Sequence, residues 1–351
     1  MSDDSTGARA ASLKRLRSLF TNIEGTKVTL IGDTMLDRFH HGFANNLNST
    51  APVPVLKVTR TEESPGASAH IAIGLTSFGM NVAFHTSVGD DEEGKSVVSQ
   101  LENRGIETSG VISVTERQTL TKIRFFGSRE SLLDREQILL QADRGPSTDL
   151  EGAISDDLTS AALANLKDSC ALVISDYDKG VVTLEGAQSL ISSARESGIP
   201  CIVDPKLTGL DKSRGSTVVI FEKRGLSLLT RRANSNNPDS TAMSLIEEYD
   251  WDGILVMGGI DGMTLYQSGG AISRFDCMAP SAEQQIGMHD AAAASLAAAL
   301  GAGLDLVDAA LLASAACDCV LSANTGEEYI DKDVLGLWLD ELSWQMQISE
   351  R

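Results

Sequence analysis

Four carboxylates in this chain stand where α/β proteins keep their chemistry. Asp33 follows the apolar run VTLIG, Asp176 follows LVIS, Asp204 follows CIV, and Asp290 opens a long helical stretch. In an open α/β sheet, ligands bind at the carboxyl ends of the strands. Each Asp taken singly reads as a turn or capping residue, a role its short side chain suits. Taken together, three strand ends and one helix start meet the demands of phosphoryl transfer. That reaction needs a carboxylate to take an alcohol proton and helix N-terminal amides to hold phosphate. The stretch IGMHDAAAASLAAAL is the most informative of these. Gly287 precedes a long helix and Asp290 falls in its first turn, so Asp290 either caps the helix or acts as a base beside an anion held by the amides of 287–290.

Other chemistries lack their patterns. There is no G-x-x-x-x-G-K-[ST] loop, no G-x-G-x-x-G after the first strand and no G-x-S-x-G elbow. His40 and His41 sit on an extended segment with no metal-ligand partner at suitable spacing, and His70 lies among Ala and Ile as packing residues do. Cys170, Cys201, Cys277, Cys317 and Cys319 are odd in number and set in apolar stretches, which suits a reducing compartment and core packing; no second Cys/His pair completes a zinc pattern.

The elements that position these residues follow from the apolar rhythm. Residues 1–9 read as a tail, and Leu13, Leu16, Leu19 and Phe20 give a short docking helix over 10–22. KVTLIGD, CALVISD, PCIVDPK, STVVIFE, GILVMGG and MTLYQSG read as strands. Between them lie helices at about 151–166 and 183–197, and Ala-rich helices follow Asp290. Strands alternating with helices predict an α/β fold with a doubly wound, mostly parallel sheet flanked by helices. The segments at about 38–62 and 117–127 are extended and partly alternating, which sets them apart from this rhythm.

Composition bounds the class. The chain has 351 residues, 42% hydrophobic and 22% charged, enough for one large domain. A formal charge of −20 opposes nucleic acid and anionic membranes as partners. It also means that any phosphate site needs local help from amides or placed cations. No stretch reaches the ~18 apolar residues of a membrane span, and the first residues lack the apolar core of a signal peptide. A cytoplasmic location is the expectation.

The motifs in order are similar to those of one family. IGDTMLDRF followed by APVPVLKV, then SPGASAHIA, TLTKIRF, ISDYDKG and VDPK, resemble the ribokinase/PfkB family of carbohydrate kinases. Within it they resemble the branch that phosphorylates heptose 7-phosphate, over roughly residues 25–345. The resemblance implies a ribokinase-like domain over 26–345, preceded by the tail and helix of 1–25, with a small β lid formed by the two extended segments. It implies ATP and Mg²⁺ as cofactors, a sugar or sugar phosphate as substrate, and a homodimer joined through the lid. Asp290 would be the base, with Gly287 in the anion cradle. Asp33, Asp37, Lys57 and Gly66 would line the sugar side, with Lys122 and Arg124 reaching it from the lid and Lys179 and Asp204 near the reaction centre. Read from the residues alone, Lys57 is an edge charge on an extended strand and Lys179 a turn residue beside Gly180.

Departures cluster on the nucleotide side. The family's D-x-T-G-A-G-D reads Gln284-Gln285-Ile286-Gly287-Met288-His289-Asp290, so Ala has become Met288 and the second Gly has become His289, side chains large enough to narrow an anion pocket. Gln284 removes the leading Asp that a monovalent-cation site would use. The family's N-x-x-E falls on Glu222 and Gly225, and a strand-ending Thr is Met257. Gly259 and Gly262 remain as a nucleotide loop. Two readings stay open: an ATP-dependent sugar kinase with Asp290 as base, or a relative that keeps the fold as a sugar-phosphate-binding or interaction scaffold. No H-x-G-H motif is present, so a nucleotidyltransferase activity is not expected.

Overall fold

A computed structural model of the protein describes residues 3–128, 136–282, 285–323 and 329–349. The chain opens with helix α1 (Asp3–Asn22), which starts earlier than the Leu13–Phe20 spacing predicts, within the segment expected to be a tail. Strand β1 (Lys27–Gly32) follows, and after the single residue Asp33 the chain enters β2 (Thr34–Leu47) and β3 (Pro54–Ala67). Then come α2 (Ser68–Ser77), β4 (Asn81–Gly89), α3 (Glu92–Glu102), β5 (Val111–Val114), β6 (Thr121–Ser128) and β7 (Gln137–Arg144). A regular βα series completes the chain: α4 (Gly152–Leu166), β8 (Ala171–Ser175), α5 (Leu184–Glu196), β9 (Cys201–Asp204), β10 (Val218–Glu222), α6 (Lys223–Arg232), α7 (Pro238–Tyr249), β11 (Gly253–Met257), β12 (Met263–Gln267), β13 (Ile272–Phe275), α8 (Met288–Gly301), α9 (Leu306–Ser322) and α10 (Lys332–Ser349).

Nine strands form the main sheet in the order β13-β12-β11-β10-β9-β8-β1-β4-β5. Every pairing from β11 to β5 is parallel, and only β12 and β13 run antiparallel at one edge. The order reverses at β1, which has β4 on one side and β8 on the other. This is the topological switch point at which open α/β sheets place ligands.

Alternation along the strands explains why the apolar runs are nearly continuous. Val28, Leu30, Ala171, Val173, Val218 and Ile220 face one core, while Ile31, Leu172, Ile174, Val219 and Phe221 face the other. Successive side chains in a strand point to opposite faces, and here helices cover both. One layer contains α1, α2, α3, α8, α9 and α10; the other contains α4, α5, α6 and α7. Helix α8 is buried on all sides from Asp290 to Leu300. Its Ala-rich sequence suits that place, because small side chains let α2, α9 and the sheet approach it closely. No helix among the described residues is long and apolar enough to cross a membrane.

The lid is a second sheet of four strands, β3-β2-β6-β7. Strand β2 pairs antiparallel with β3 and parallel with β6, setting Asp37 opposite Lys122 and Phe39 opposite Arg124. The two extended segments anticipated from sequence are both in it. Strand β7 was not anticipated: Ile138, Leu140 and Ala142 alternate with polar residues, but Leu139 interrupts the pattern, and the strand is exposed along its whole length.

Candidate functional site

A cleft of ≈ 490 Å³ opens between the lid and the carboxyl ends of β9 and β10, with the first turn of α8 along its base. The helix starts sharply. Gly287 is the N-cap with φ 82°, a left-handed conformation that side-chain-bearing residues adopt only with strain. Helix geometry leaves the first amides of α8 without intrahelical acceptors, so they are available to an anion.

Asp290 does not cap its own helix. Its Oδ2 lies 3.2 Å from His70 Nδ1 on α2, and its buried Oδ1 has no hydrogen-bond partner within the protein. The residue is 5% exposed and lines the cleft. Burial pushes its carboxyl above the ordinary range, and Asp204 adds to this; the His70 hydrogen bond and the His289 charge oppose the rise. A carboxylate raised in this way is better matched to taking a proton near neutral pH.

His289, which stands where the family has a glycine, does not plug the cleft. Its Nδ1 is 3.1 Å from Asp204 Oδ1 and its Nε2 is 3.7 Å from Glu222 Oε1, so the ring lies along the wall formed by the ends of β9 and β10. Burial disfavours its charged form, but Asp204, Glu222 and Asp290 outweigh burial and raise its pKa. Met288 is drawn into the hydrophobic core instead, 6% exposed, with its carbonyl accepting the Cys317 thiol at 3.2 Å. The narrowing expected from two large side chains is avoided because one packs inward and the other is held sideways.

On the lid side, Arg124 Nη1 and Asp37 Oδ1 form a buried ion pair at 2.5 Å, and the guanidinium sits 5.4 Å over the Phe39 ring. Gly66 packs directly against this carboxylate: a Cβ there would lie 2.0 Å from Asp37 Oδ2. Lys122, next to Arg124 but one on, also lines the cleft.

Several expected site residues lie elsewhere. Asp33 is turned away from the cleft. Its Oδ2 accepts the amides of Tyr177 and Lys179, and its Oδ1 accepts that of Val181, at 2.8, 3.1 and 3.2 Å. It ties the end of β1 to the loop after β8, and burial, with Asp176 adding, raises its pKa to about 6 against those hydrogen bonds. Asp176 is likewise occupied, by Lys212 Nζ at 2.9 Å. Lys179 is exposed and lines a separate narrow pocket with Asp33, while its carbonyl accepts Arg117 Nη2 at 2.7 Å. Lys57 is exposed on β3 opposite Phe43 and does not line the cleft. Gly259 and Gly262, at φ 60° and 78°, make the tight turn from β11 to β12, away from the cleft lining. A Cβ on Gly262 would lie 2.1 Å from the Phe275 carbonyl, so close packing of that turn is reason enough for glycine. Gln284 lies outside the described residues.

The structure thus gathers Asp37, Gly66, Lys122, Arg124, Asp204, Glu222, Gly287, Met288, His289 and Asp290 at or beside one cleft. It adds residues that sequence reading left out. His70 reaches Asp290 across 220 positions of chain, and nothing in its Ala/Ile surroundings signals that. Lys206 lies 4.0 Å over the Tyr177 ring, and both line the cleft with Arg224. Lys206 was visible as the last residue of VDPK, and Arg224 as a cation in the first turn of a helix. Burial and the surrounding carboxylates push the Tyr177 phenol well above its ordinary range, keeping it protonated. No group of three or more His, Cys, Asp or Glu placed to hold a metal occurs among the described residues.

Comparison with known proteins places the chain in a family. A model of the family described as pfkB family carbohydrate kinase matches residues 25–330. The chain is 33% identical over 324 residues to the bifunctional protein HldE of Paramagnetospirillum magneticum, covering 92% of this chain and 65% of that protein. It is 30% identical over 302 residues to the protein of the same name from Coxiella burnetii, covering 85% of this chain and 60% of that one. The chain therefore spans less than two thirds of the length of these relatives. Among solved structures, phosphofructokinase-2 from Escherichia coli in complex with potassium superposes with a TM-score of 0.72 at 19% identity, over 91% of this chain and 99% of that one. Ribokinase from Arabidopsis thaliana complexed with ribose and ATP gives a TM-score of 0.68 at 14% identity, over 90% and 99%.

Proposed function

The chain belongs to the pfkB family of carbohydrate kinases, and from that premise we propose that it transfers the γ-phosphoryl group of ATP to a hydroxyl of a phosphorylated sugar of the heptose 7-phosphate kind, with Asp290 as general base. The observation that carries this reading is Asp290 lining the cleft one helical turn from Gly287, with a buried Oδ1 that has no partner within the protein. The Asp290 carboxylate accepts the proton of the sugar hydroxyl as its oxygen bonds to phosphorus, the bridging P–O bond breaks, and ADP leaves. The amides at the head of α8 face the charge that develops on the transferred group.

The cations divide the work. Lys122 and Arg124 on the lid suit the phosphate already on the sugar, and Lys206 and Arg224 on the opposite wall suit the nucleotide. In a chain of formal charge −20, such placed cations are needed for two anionic substrates to share one cleft. Mg²⁺ fits as a companion of the nucleotide, held by phosphate oxygens and water, a common mode for this ion.

The lid supports a homodimer. Its outer strands β3 and β7 expose Val55, Val58, Ile138 and Leu140, at 44%, 45%, 53% and 59%. Unpaired edges with apolar side chains are templates for pairing with a second chain. Size measurement by light scattering should give twice the chain mass, and a monomer would remove this part of the reading.

Calorimetric titration with Mg-ATP and Mg-ADP, followed by an ADP-release screen over heptose 7-phosphate, fructose phosphates and free sugars, tests the activity. Binding and turnover on a sugar phosphate are expected. Absence of binding at millimolar nucleotide would leave a sugar-phosphate-binding scaffold in place of a kinase.

A further inference from the structure

One residue before the base, the first turn of α8 carries a second ionisable side chain whose surroundings give it a distinct part to play. His289 lies across two strand ends, with Nδ1 3.1 Å from Asp204 Oδ1 and Nε2 3.7 Å from Glu222 Oε1. The fold has thereby brought three carboxylates, Asp204, Glu222 and Asp290, to one wall of the cleft. Neighbouring like charges in a partly desolvated site favour protonation of one another. A base in such company is at risk of holding its proton when it should be free to take one. The charged groups around the imidazole are Asp204 from β9, Glu222 between β10 and α6, and Asp290 on its own helix; Lys206 and Arg224 line the same cleft. On the other side, His70 from α2 holds Asp290 Oδ2 at 3.2 Å.

We propose that His289 is a positioning residue for phosphoryl transfer: its imidazolium, held by Asp204 and facing Glu222, offsets the charge of the carboxylate wall and so keeps Asp290 ionised as a proton acceptor near neutral pH. This rests on the reading of Asp290 as the base. Three features agree with it. The Asp204 contact fixes the ring sideways, out of the space a phosphate needs, and the cleft keeps ≈ 490 Å³. The surrounding carboxylates favour the charged form of the imidazole against burial. Burial and Asp204 push the Asp290 carboxyl up, whereas His70 and His289 pull it down, so the two imidazoles act on the base from two helices. Where a glycine would offer this cleft only its amide, this chain adds a charge one residue from the proton acceptor.

The test separates charge from shape. In His289→Gln the side chain still donates a hydrogen bond to Asp204 but carries no charge; in His289→Lys the charge returns on a different shape. The pH profile of kcat/KM is measured for both, together with the ¹³C NMR titration of the Asp290 carboxyl in the unliganded protein. In His289→Gln the acid limb and the carboxyl titration should both move up by about one pH unit, the lower end of the shift expected from one neighbouring charge. That corresponds to roughly tenfold lower kcat/KM on the acid limb and little loss above it. His289→Lys should return both towards the wild type, and His289→Asn serves the same comparison should the Gln variant not fold. An Asp290 titration that stays put in the uncharged variants, or moves equally in the Gln and Lys variants, overturns the proposal. If wild-type protein releases no ADP with any sugar while the carboxyl titration still moves, the kinase reading fails and the electrostatic coupling stands.

Discussion

The two ends of the cleft manage charge in opposite ways. At the lid end, a guanidinium and a carboxylate from different strands are locked together: Arg124 and Asp37 are both almost fully buried, and Gly66 leaves no room beside them. At the α8 end, carboxylates outnumber the imidazoles that offset them, and Asp290 keeps one oxygen free. The first arrangement is a buried charge pair, which suits a fixed wall with guanidinium N–H groups left for a substrate. The second is poised, which suits moving a proton. The contrast teaches that carboxylates of one cleft take their roles from their partners, since Asp37 and Asp290 are almost equally buried, yet one faces a guanidinium and the other an imidazole.

The sharpest way to break the contrast is Asp290→Asn, which removes the proposed proton acceptor and keeps the shape. Turnover should fall about 10²–10⁴-fold, the range for a positioned acid–base group. Calorimetry should show Mg-ATP affinity retained. Surviving turnover would move the base to another residue and dissolve the distinction between the two ends.

At the lid end the expected effect is on stability. Arg124→Ala leaves Asp37 buried without its partner, and breaking a buried pair in this way costs about 3–5 kcal/mol. Urea denaturation should show that loss, and the double variant with Asp37→Asn should recover part of it. A loss below 1 kcal/mol would mean that this pair is not the rigid element described.

Asp33 sharpens the comparison as a carboxylate belonging to neither end. Its folded pKa, about 6, lies above the unfolded value, so the folded protein binds the proton more tightly. This contribution to stability is present below about pH 4 and is lost as pH rises to about 6, by roughly 3 kcal/mol. Denaturation midpoints across that window should fall with a slope that Asp33→Asn removes, and an unchanged slope would show that another group titrates there.

The smallest effect is expected at Lys57. Lys57→Ala should leave the KM for the sugar phosphate within about twofold of the wild type and change stability by less than about 0.5 kcal/mol, as exposed substitutions do. A large rise in KM would bring β3 into the cleft and extend the lid end of the site.

Much of this molecule is legible before folding. Runs such as CALVISD and STVVIFE are apolar on both faces because helices cover both sides of the sheet, so they announce buried parallel strands. Gly287 and Asp290 announce a helix start with a polar mouth. Strand β7 was missed because Leu139 interrupts the alternation of Ile138, Leu140 and Ala142 with polar residues. His70 was silent because a histidine among alanines looks the same whether it packs or pairs. The strand-end carboxylates were half legible. Asp33 and Asp204 share the same local signature, yet one accepts loop amides and the other pairs with an imidazole from the first turn of α8.

By itself, then, the sequence determined the alternation of strands and helices and the glycine-led start of α8, because these follow from periodicity and from glycine at a turn. Only the tertiary structure decided which carboxylate is left free. That choice depends on donors brought in from 220 and 87 positions away, His70 for Asp290 and Arg124 for Asp37. Hydrogen bonds are settled by distance and direction in space, which residue spacing along the chain does not encode.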